Sequence, residues 1–253
     1  MIGLIGGSGI YDPQMLKNAK KVKVETPFGK PSDEITTGEF EGVKIAFIPR
    51  HGAKHQFNPS NVPYHANIWA LKKLGVTRIL SPCAVGSLQE EIKPGELVLV
   101  DQFIDKTYAR ETTFYDKEKV CHISVAEPMC PELRQLLVKD AKKLGLSFHE
   151  KGTYVCMEGP RFSTKAESLL HRSWGASVIG MTLCPEAVLA REAEICYASI
   201  ATVTDYDTFK EGEHVSIETV IKTMNENLEK VKALLQETIP KIPVQGEKCG
   251  CGS

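Results

Sequence analysis

The sequence predicts an α/β fold, a single-domain mixed β-sheet flanked by helices, and two observations carry that prediction. Short β-branched runs alternate with longer amphipathic stretches along all 253 residues, the pattern of helices packed on a sheet. Three helical stretches open with proline at or near the first turn, and Gly75, Gly145 and Gly175 stand where a left-handed residue would close a helix. With 42% hydrophobic residues, a chain of this length buries a substantial core.

Taken in order, the first strand is the apolar run Ile2-Gly3-Leu4-Ile5-Gly6. Further β-branched runs predict strands at 43–48, 78–82, 96–103, 153–158, 177–181 and 197–204. Amphipathic periodicity predicts helices at 63–74, 131–144, 164–173, 185–194 and 216–238. No Ser/Gly/Pro-rich linker or repeat divides the chain, so residues 1–239 read as one domain. Residues 240–253 lose apolar periodicity and read as a loosely held tail.

Lys plus Arg total 31 against 32 for Asp plus Glu, so no overall field favours nucleic acid or an anionic membrane, and a small-molecule substrate fits better. No apolar run approaches the ~20 residues a bilayer needs, and no basic leader precedes Ile2. A cytoplasmic protein is expected. Cys83, Cys156 and Cys196 lie in apolar runs and read as buried thiols. No cluster has zinc-finger spacing and Cys121-His122 is isolated, so no metal is expected.

Four segments could carry chemistry. Gly6-Gly7-Ser8-Gly9 follows a strand, where backbone N–H groups and the Ser8 hydroxyl suit an anion. A dinucleotide fingerprint begun at Gly7 lacks its third glycine, and a plain strand-to-loop turn is an equal reading. Arg50-His51-Gly52 also follows a strand, at the edge where open α/β sheets bind ligands. A surface pair is the rival there, and the turn Ala84-Val85-Gly86-Ser87 raises the odds of an anion site. Thr204-Asp205-Tyr206-Asp207 ends a strand with two carboxylates, for which solvated loop acids are the ordinary reading. Met157-Glu158-Gly159-Pro160-Arg161-Phe162 pairs a Glu with an Arg beside an aromatic, and a structural ion pair competes with a functional role. A P-loop lysine motif, Gly-x-Ser-x-Gly and a basic aromatic patch are absent.

Together these segments resemble the trimeric purine nucleoside phosphorylase family, and within it the branch acting on 5′-methylthioadenosine. Colinear with them are Thr26-Pro27-Phe28-Gly29-Lys30-Pro31-Ser32-Asp33, Ala66-Asn67-Ile68-Trp69-Ala70-Leu71 and Asp101-Gln102-Phe103-Ile104-Asp105, so the resemblance spans Gly3 to about Thr238. It implies a nucleoside phosphorylase-like fold. It also implies that Ser8, Arg50, His51, the Ala84 backbone and Thr182 hold phosphate, with Cys83 where relatives carry a hydroxyl. A thiol is a weaker donor, so that contact is expected to weaken or be lost. Met181, Ala84 and Gly86 would lie near the substrate, Glu158 near the sugar, Phe162 against the base, and Asp205 and Asp207 would read the purine. Gly180 stands where some relatives have Asn near the base. His122, reaching in from a neighbouring subunit, and the helix face of Ile217, Val220 and Ile221 would line an apolar 5′ pocket suited to a thioether.

The implied reaction is attack of phosphate on C1′ through an oxocarbenium-like transition state, with Asp205, Asp207 and Thr182 catalytic. Asp205, as a carboxylic acid of raised pKa, would share its proton with purine N7. Inorganic phosphate is then a co-substrate, no cofactor is required, and the assembly is a trimer or a hexamer. Cys249-Gly250-Cys251 resembles the tails of phosphorylases from hyperthermophilic archaea. That likeness implies a Cys130–Cys196 bridge and a labile Cys249–Cys251 pair, free thiols being the alternative. Broader action on adenosine, inosine or methylthioinosine, a nicotinamide-dependent oxidoreductase and a silent purine-binding sensor are the other readings.

Overall fold

A computed structural model describes residues 1–7, 16–116, 119–212, 216–243, 249 and 251, without the side chains of residues 217 and 219. Its strands are β1 (Ile2–Gly6), β2 (Lys17–Val22), β3 (Ile35–Phe40), β4 (Val43–Pro49), β5 (Arg78–Ser87), β6 (Leu97–Leu99), β7 (Gln102–Lys106), β8 (Phe148–His149), β9 (Thr153–Met157), β10 (Val178–Gly180) and β11 (Cys196–Asp205). The helices are α1 (Tyr64–Lys73), α2 (Pro131–Lys143), α3 (Lys165–Ser173), α4 (Leu183–Glu192) and α5 (Ile217–Thr238). One mixed sheet of 11 strands runs in the order β2-β3-β4-β1-β5-β10-β9-β7, and β11 branches from β5 to carry β6 and β8.

The centre of the sheet is parallel. Leu4 pairs with Phe47 on one side and Leu80 on the other, and Leu80 in turn pairs with Ala198. The carboxyl ends of β1, β4, β5 and β11 therefore open on one edge, where such sheets bind ligands. These strands are buried on both faces, and alternate residues feed two cores. Ile5, Ile48, Ile79 and Tyr197 pack with Ile68 of α1 and Ala187 of α4, while Leu4, Phe47, Leu80 and Ala198 pack with Leu137 of α2 and Leu234 of α5. Among the described residues no helix is long and apolar enough to cross a membrane.

All five expected helices form. Pro63 caps α1, Pro131 opens α2, and Thr164 closes a reciprocal capping box with Glu167 on α3. The three expected closing glycines are left-handed, at φ 82° for Gly75, 63° for Gly145 and 75° for Gly175. Three strands were not foreseen. β2 reads Lys-Asn-Ala-Lys-Lys-Val and is exposed at the sheet edge, where lysines protect against further pairing. β3 contains Gly38 because Leu16 fills the space a Cβ would need, 2.7 Å from its Cδ1, and β8 has only two residues. The single strand expected at 96–103 is two, since β6 pairs with β11 and β7 turns away to β9.

The end of the chain departs from the loose tail expected. Ile239 and Ile242 are buried, and Cys251 is buried in the same core as α2 and α5. Residues 244–248, 250, 252 and 253 of that tail lie outside the described residues.

Candidate active site

Arg50 leaves the end of β4 and its backbone N–H donates to the Gly6 carbonyl at 2.9 Å. Its guanidinium is turned inward, 2% exposed. Nε donates to Glu186 Oε2 at 2.7 Å and Nη2 to Oε1 at 2.9 Å, a bidentate pair. Ser81 Oγ and Tyr197 Oη also donate to Oε1, both at 2.7 Å. Nη1 makes only a long 3.4 Å bond to the Pro82 carbonyl, next to Cys83. The surface-pair reading of Arg50 is thus excluded, and its bidentate partner is Glu186, a residue the sequence did not single out.

Cys83 is buried, its sulfur 3.5 Å from Ser199 Oγ, and burial pushes the thiol up to about 11. It remains protonated and is already paired with Ser199. Ala84 and Gly86 are half-buried on the same strand.

The two aspartates come together against Gly86. Asp205 pairs with Gly86 across a bulge in β11. Its Oδ1 accepts from the Asp207 N–H and its Oδ2 from Thr204 Oγ1, both at 2.8 Å. A Cβ on Gly86 would stand 2.9 Å from Asp205 Oδ1 and 3.3 Å from Asp207 Cβ, so only glycine admits the pair. Asp207 is 4% exposed and holds a positive φ of 48°, a conformation that costs energy outside glycine. Burial raises its carboxyl above the ordinary range, and Oδ2 has no hydrogen-bond partner among the described residues. These are not solvated loop acids.

β10 is antiparallel to β5, with Ile179 opposite Gly86, and so carries Met181 and Thr182 toward the same edge. Gly180 fits because a Cβ there would overlap Tyr154 Oη at 2.0 Å. A side chain at this position is thus excluded, and Gly180 cannot do the work of an Asn. Thr182 is buried, and its N–H reaches Tyr154 Oη at 3.4 Å. Phe162 is 39% exposed, an aromatic face open to solvent.

Glu158 is engaged by a neighbouring loop and arginine. Its carboxylate accepts from Ser60 Oγ, the Tyr108 and Ala109 N–H groups, and Arg110 Nε at 3.0 Å. Burial works against the charge, but these donors hold the carboxyl down at about 2. Arg110 also donates to the carbonyls of Glu158, Met181 and Cys184, clasping the ends of β9 and β10 together. The ion-pair reading is right, but with a different partner, since Arg161 pairs with Glu167 at the surface.

His51 is half-buried and its Nδ1 lies 2.9 Å from the Phe57 carbonyl, a contact that requires Nδ1 to carry the proton. Burial first, then the Arg50 charge, lowers its pKa to about 4. The neutral ring therefore offers Nε2 as an acceptor. A folded pKa below the unfolded ~6.5 means the unfolded chain binds the extra proton first, so stability falls as pH drops from about 6.5 toward 4. Urea unfolding of wild type and His51→Gln across that window should show a steeper loss in wild type, and parallel curves would contradict this.

His122 is exposed, Ser8 lies outside the described residues, and so does the Ile217 side chain. Val220 is half-buried and Ile221 is 46% exposed, which excludes plain core for Ile221. The eight cysteines are free thiols, so neither expected disulfide is formed. Cys130, Cys196, Cys249 and Cys251 do share one cluster, their sulfurs within 4.8 Å of one another.

A cation, an imidazole and a carboxylate pair thus gather at the carboxyl edge of a mixed sheet. The profile of the Phosphorylase superfamily matches residues 1–240. This chain belongs to the phosphorylase superfamily. Among its phosphorylase relatives, the S-methyl-5′-thioadenosine phosphorylase of Pyrococcus abyssi is 57% identical over 250 residues, 99% of this chain and 95% of the relative. A methylthioadenosine phosphorylase from an antarctic soil metagenomic library superposes with a TM-score of 0.94 at 46% identity, covering 99% of this chain and 89% of that one. A point mutant of the adenosine/methylthioadenosine phosphorylase of Schistosoma mansoni, solved with methylthioadenosine, gives 0.91 at 41% identity, with 97% and 92% covered.

Proposed function

We propose that this phosphorylase converts 5′-methylthioadenosine and phosphate to adenine and 5-methylthioribose 1-phosphate. The observation that carries the reading is the Asp205–Asp207 pair seated on Gly86 beside the Arg50–His51 edge. The names of relatives at 56–57% identity supply the substrate.

In this reading phosphate lies among Ser8, Arg50 Nη1, His51, the Ala84 backbone and Thr182, near Cys83. Because neutral His51 presents a lone pair, phosphate binds as its monoanion or with uptake of a proton by the ring. The bound anion stabilises the developing sugar cation near Met181, and Asp205 in its acid form donates to N7 as the base departs. Asp207, kept neutral more readily by burial, accepts or donates at the 6-amino edge, and Phe162 stacks on the purine. Phosphate is a co-substrate, and no cofactor takes part.

The exposed His122 and Ile221 support a 5′ pocket completed by a neighbouring copy, so the active unit is a homo-oligomer, trimer or hexamer, of a cytoplasmic enzyme with one domain over 1–239. A fully active monomer in sedimentation would contradict the assembly. The apolar lining of Val220 and Ile221 predicts a higher kcat/KM for methylthioadenosine than for adenosine, since neither residue bonds a 5′-hydroxyl. Equal efficiencies would favour the broader nucleoside phosphorylase reading.

A further inference from the structure

The four-cysteine cluster lies far from the aspartates. Cys196 opens β11 and Asp205 closes it, so about 30 Å of strand separates the two, at ~3.3 Å per residue. Cys130 is the residue before the first turn of α2, and Cys249 and Cys251 come from the far end of the chain. Three of the four are buried and Cys249 is half-buried. All six sulfur–sulfur separations fall within 4.8 Å. A tetrahedral tetrathiolate with bonds of about 2.3 Å spaces its sulfurs by about 3.8 Å, so Cys196 and Cys249, 3.2 Å apart, would separate slightly while pairs nearer the 4.8 Å limit close in.

The buried donors beside the cluster favour a metal over disulfides. Arg78 opens β5 directly beside Cys196 in register and is 1% exposed. Nη2 donates to Glu132 at 2.7 Å, but Nε and Nη1 have no hydrogen-bond partner among the described residues. Cys130 stands at the N-terminus of α2. Glu132 already balances the guanidinium's charge, but two disulfides would leave its Nε and Nη1 without a good acceptor. Thiolates bound to a divalent ion accept N–H hydrogen bonds more strongly, and this set stands beside those two donors at a helix N-terminus.

We propose that Cys130, Cys196, Cys249 and Cys251 bind one thiophilic divalent ion of the zinc class as a structural centre, tying the chain's end to α2 and β11. Binding exchanges four thiol protons for four metal–sulfur bonds, with no change of oxidation state. Arg78 is its positioning residue, supplying donors to the sulfurs.

The test uses full-length protein purified anaerobically without chelator. Elemental analysis should find one zinc per chain, and Co²⁺ exchange should give the visible bands of a tetrahedral tetrathiolate. Cys251→Ser should lose those bands and melt at lower temperature while still releasing adenine. Arg78→Met should keep the spectrum but weaken Co²⁺ binding roughly 10- to 100-fold. Disulfides at these cysteines in the isolated protein, or reduced wild type that gives no tetrathiolate spectrum with Co²⁺, would overturn the proposal.

Discussion

Glu186→Leu should lower stability by about 3–5 kcal/mol, because it leaves a buried guanidinium without its counter-charge. Arg50 is 2% exposed and Glu186 1%, so neither can recover solvation without local opening. The same change leaves the hydroxyls of Ser81 and Tyr197 without the carboxylate they both donate to. Arg50→Met should be similarly damaging, for the stranded group is then a carboxylate. The double variant should be more stable than either single one, since two apolar side chains replace a pair whose desolvation was costly. It should nevertheless remain nearly inactive, as the cation proposed to hold phosphate is gone. Urea unfolding gives the coupling, and phosphate KM separates it from function. Strictly additive destabilisation would mean the pair does not act as a unit.

Asp205→Asn should shift preference from methylthioadenosine toward methylthioinosine. A 6-aminopurine offers a donor at N6 and an acceptor at N7, which a carboxyl that accepts and donates can satisfy. A 6-oxopurine offers acceptors at both places, and the Asn amide donates without needing a proton. Asp205 already receives Thr204 Oγ1 and the Asp207 N–H, so its orientation is fixed and a flip to rescue a mismatch is opposed. One mispaired buried polar atom costs about 1–3 kcal/mol, or roughly a 5- to 150-fold change in the ratio of the two kcat/KM values. If both rates fall together and the ratio stays fixed, Asp205 does not read the purine 6-position.

The strands and helices that build the carboxyl edge were legible because their apolar periodicity is strong. Arg50, His51, Asp205 and Asp207 stood out at the ends of such strands, but position alone favoured solvated loop acids for the aspartates and left a surface pair open for Arg50 and His51, and the family resemblance gave them their roles. Glu186 was not, although a carboxylate in the apolar stretch Pro185-Glu186-Ala187-Val188-Leu189 is the mark of a buried acid needing a cation. Its partner stands 136 residues away, beyond any spacing argument. Arg110 lies in a polar segment with no pattern at all, so Glu158 was matched with the nearer Arg161 and then with the sugar. The resemblance named Cys130 with Cys196 and Cys249 with Cys251 as two pairs, but their meeting in one cluster escaped for the same reason, since only Cys249 and Cys251 are close in sequence. β2 and β3 were hidden by lysines and a glycine, which suit an exposed edge and a crowded contact rather than strand propensity.

The central claim is that phosphate is the attacking group. Adenine release from methylthioadenosine, followed with and without phosphate, tests it most directly. The reading predicts release only when phosphate is present, with an equal amount of methylthioribose 1-phosphate. Adenine released at the same rate without phosphate, or no release in its presence, would contradict it.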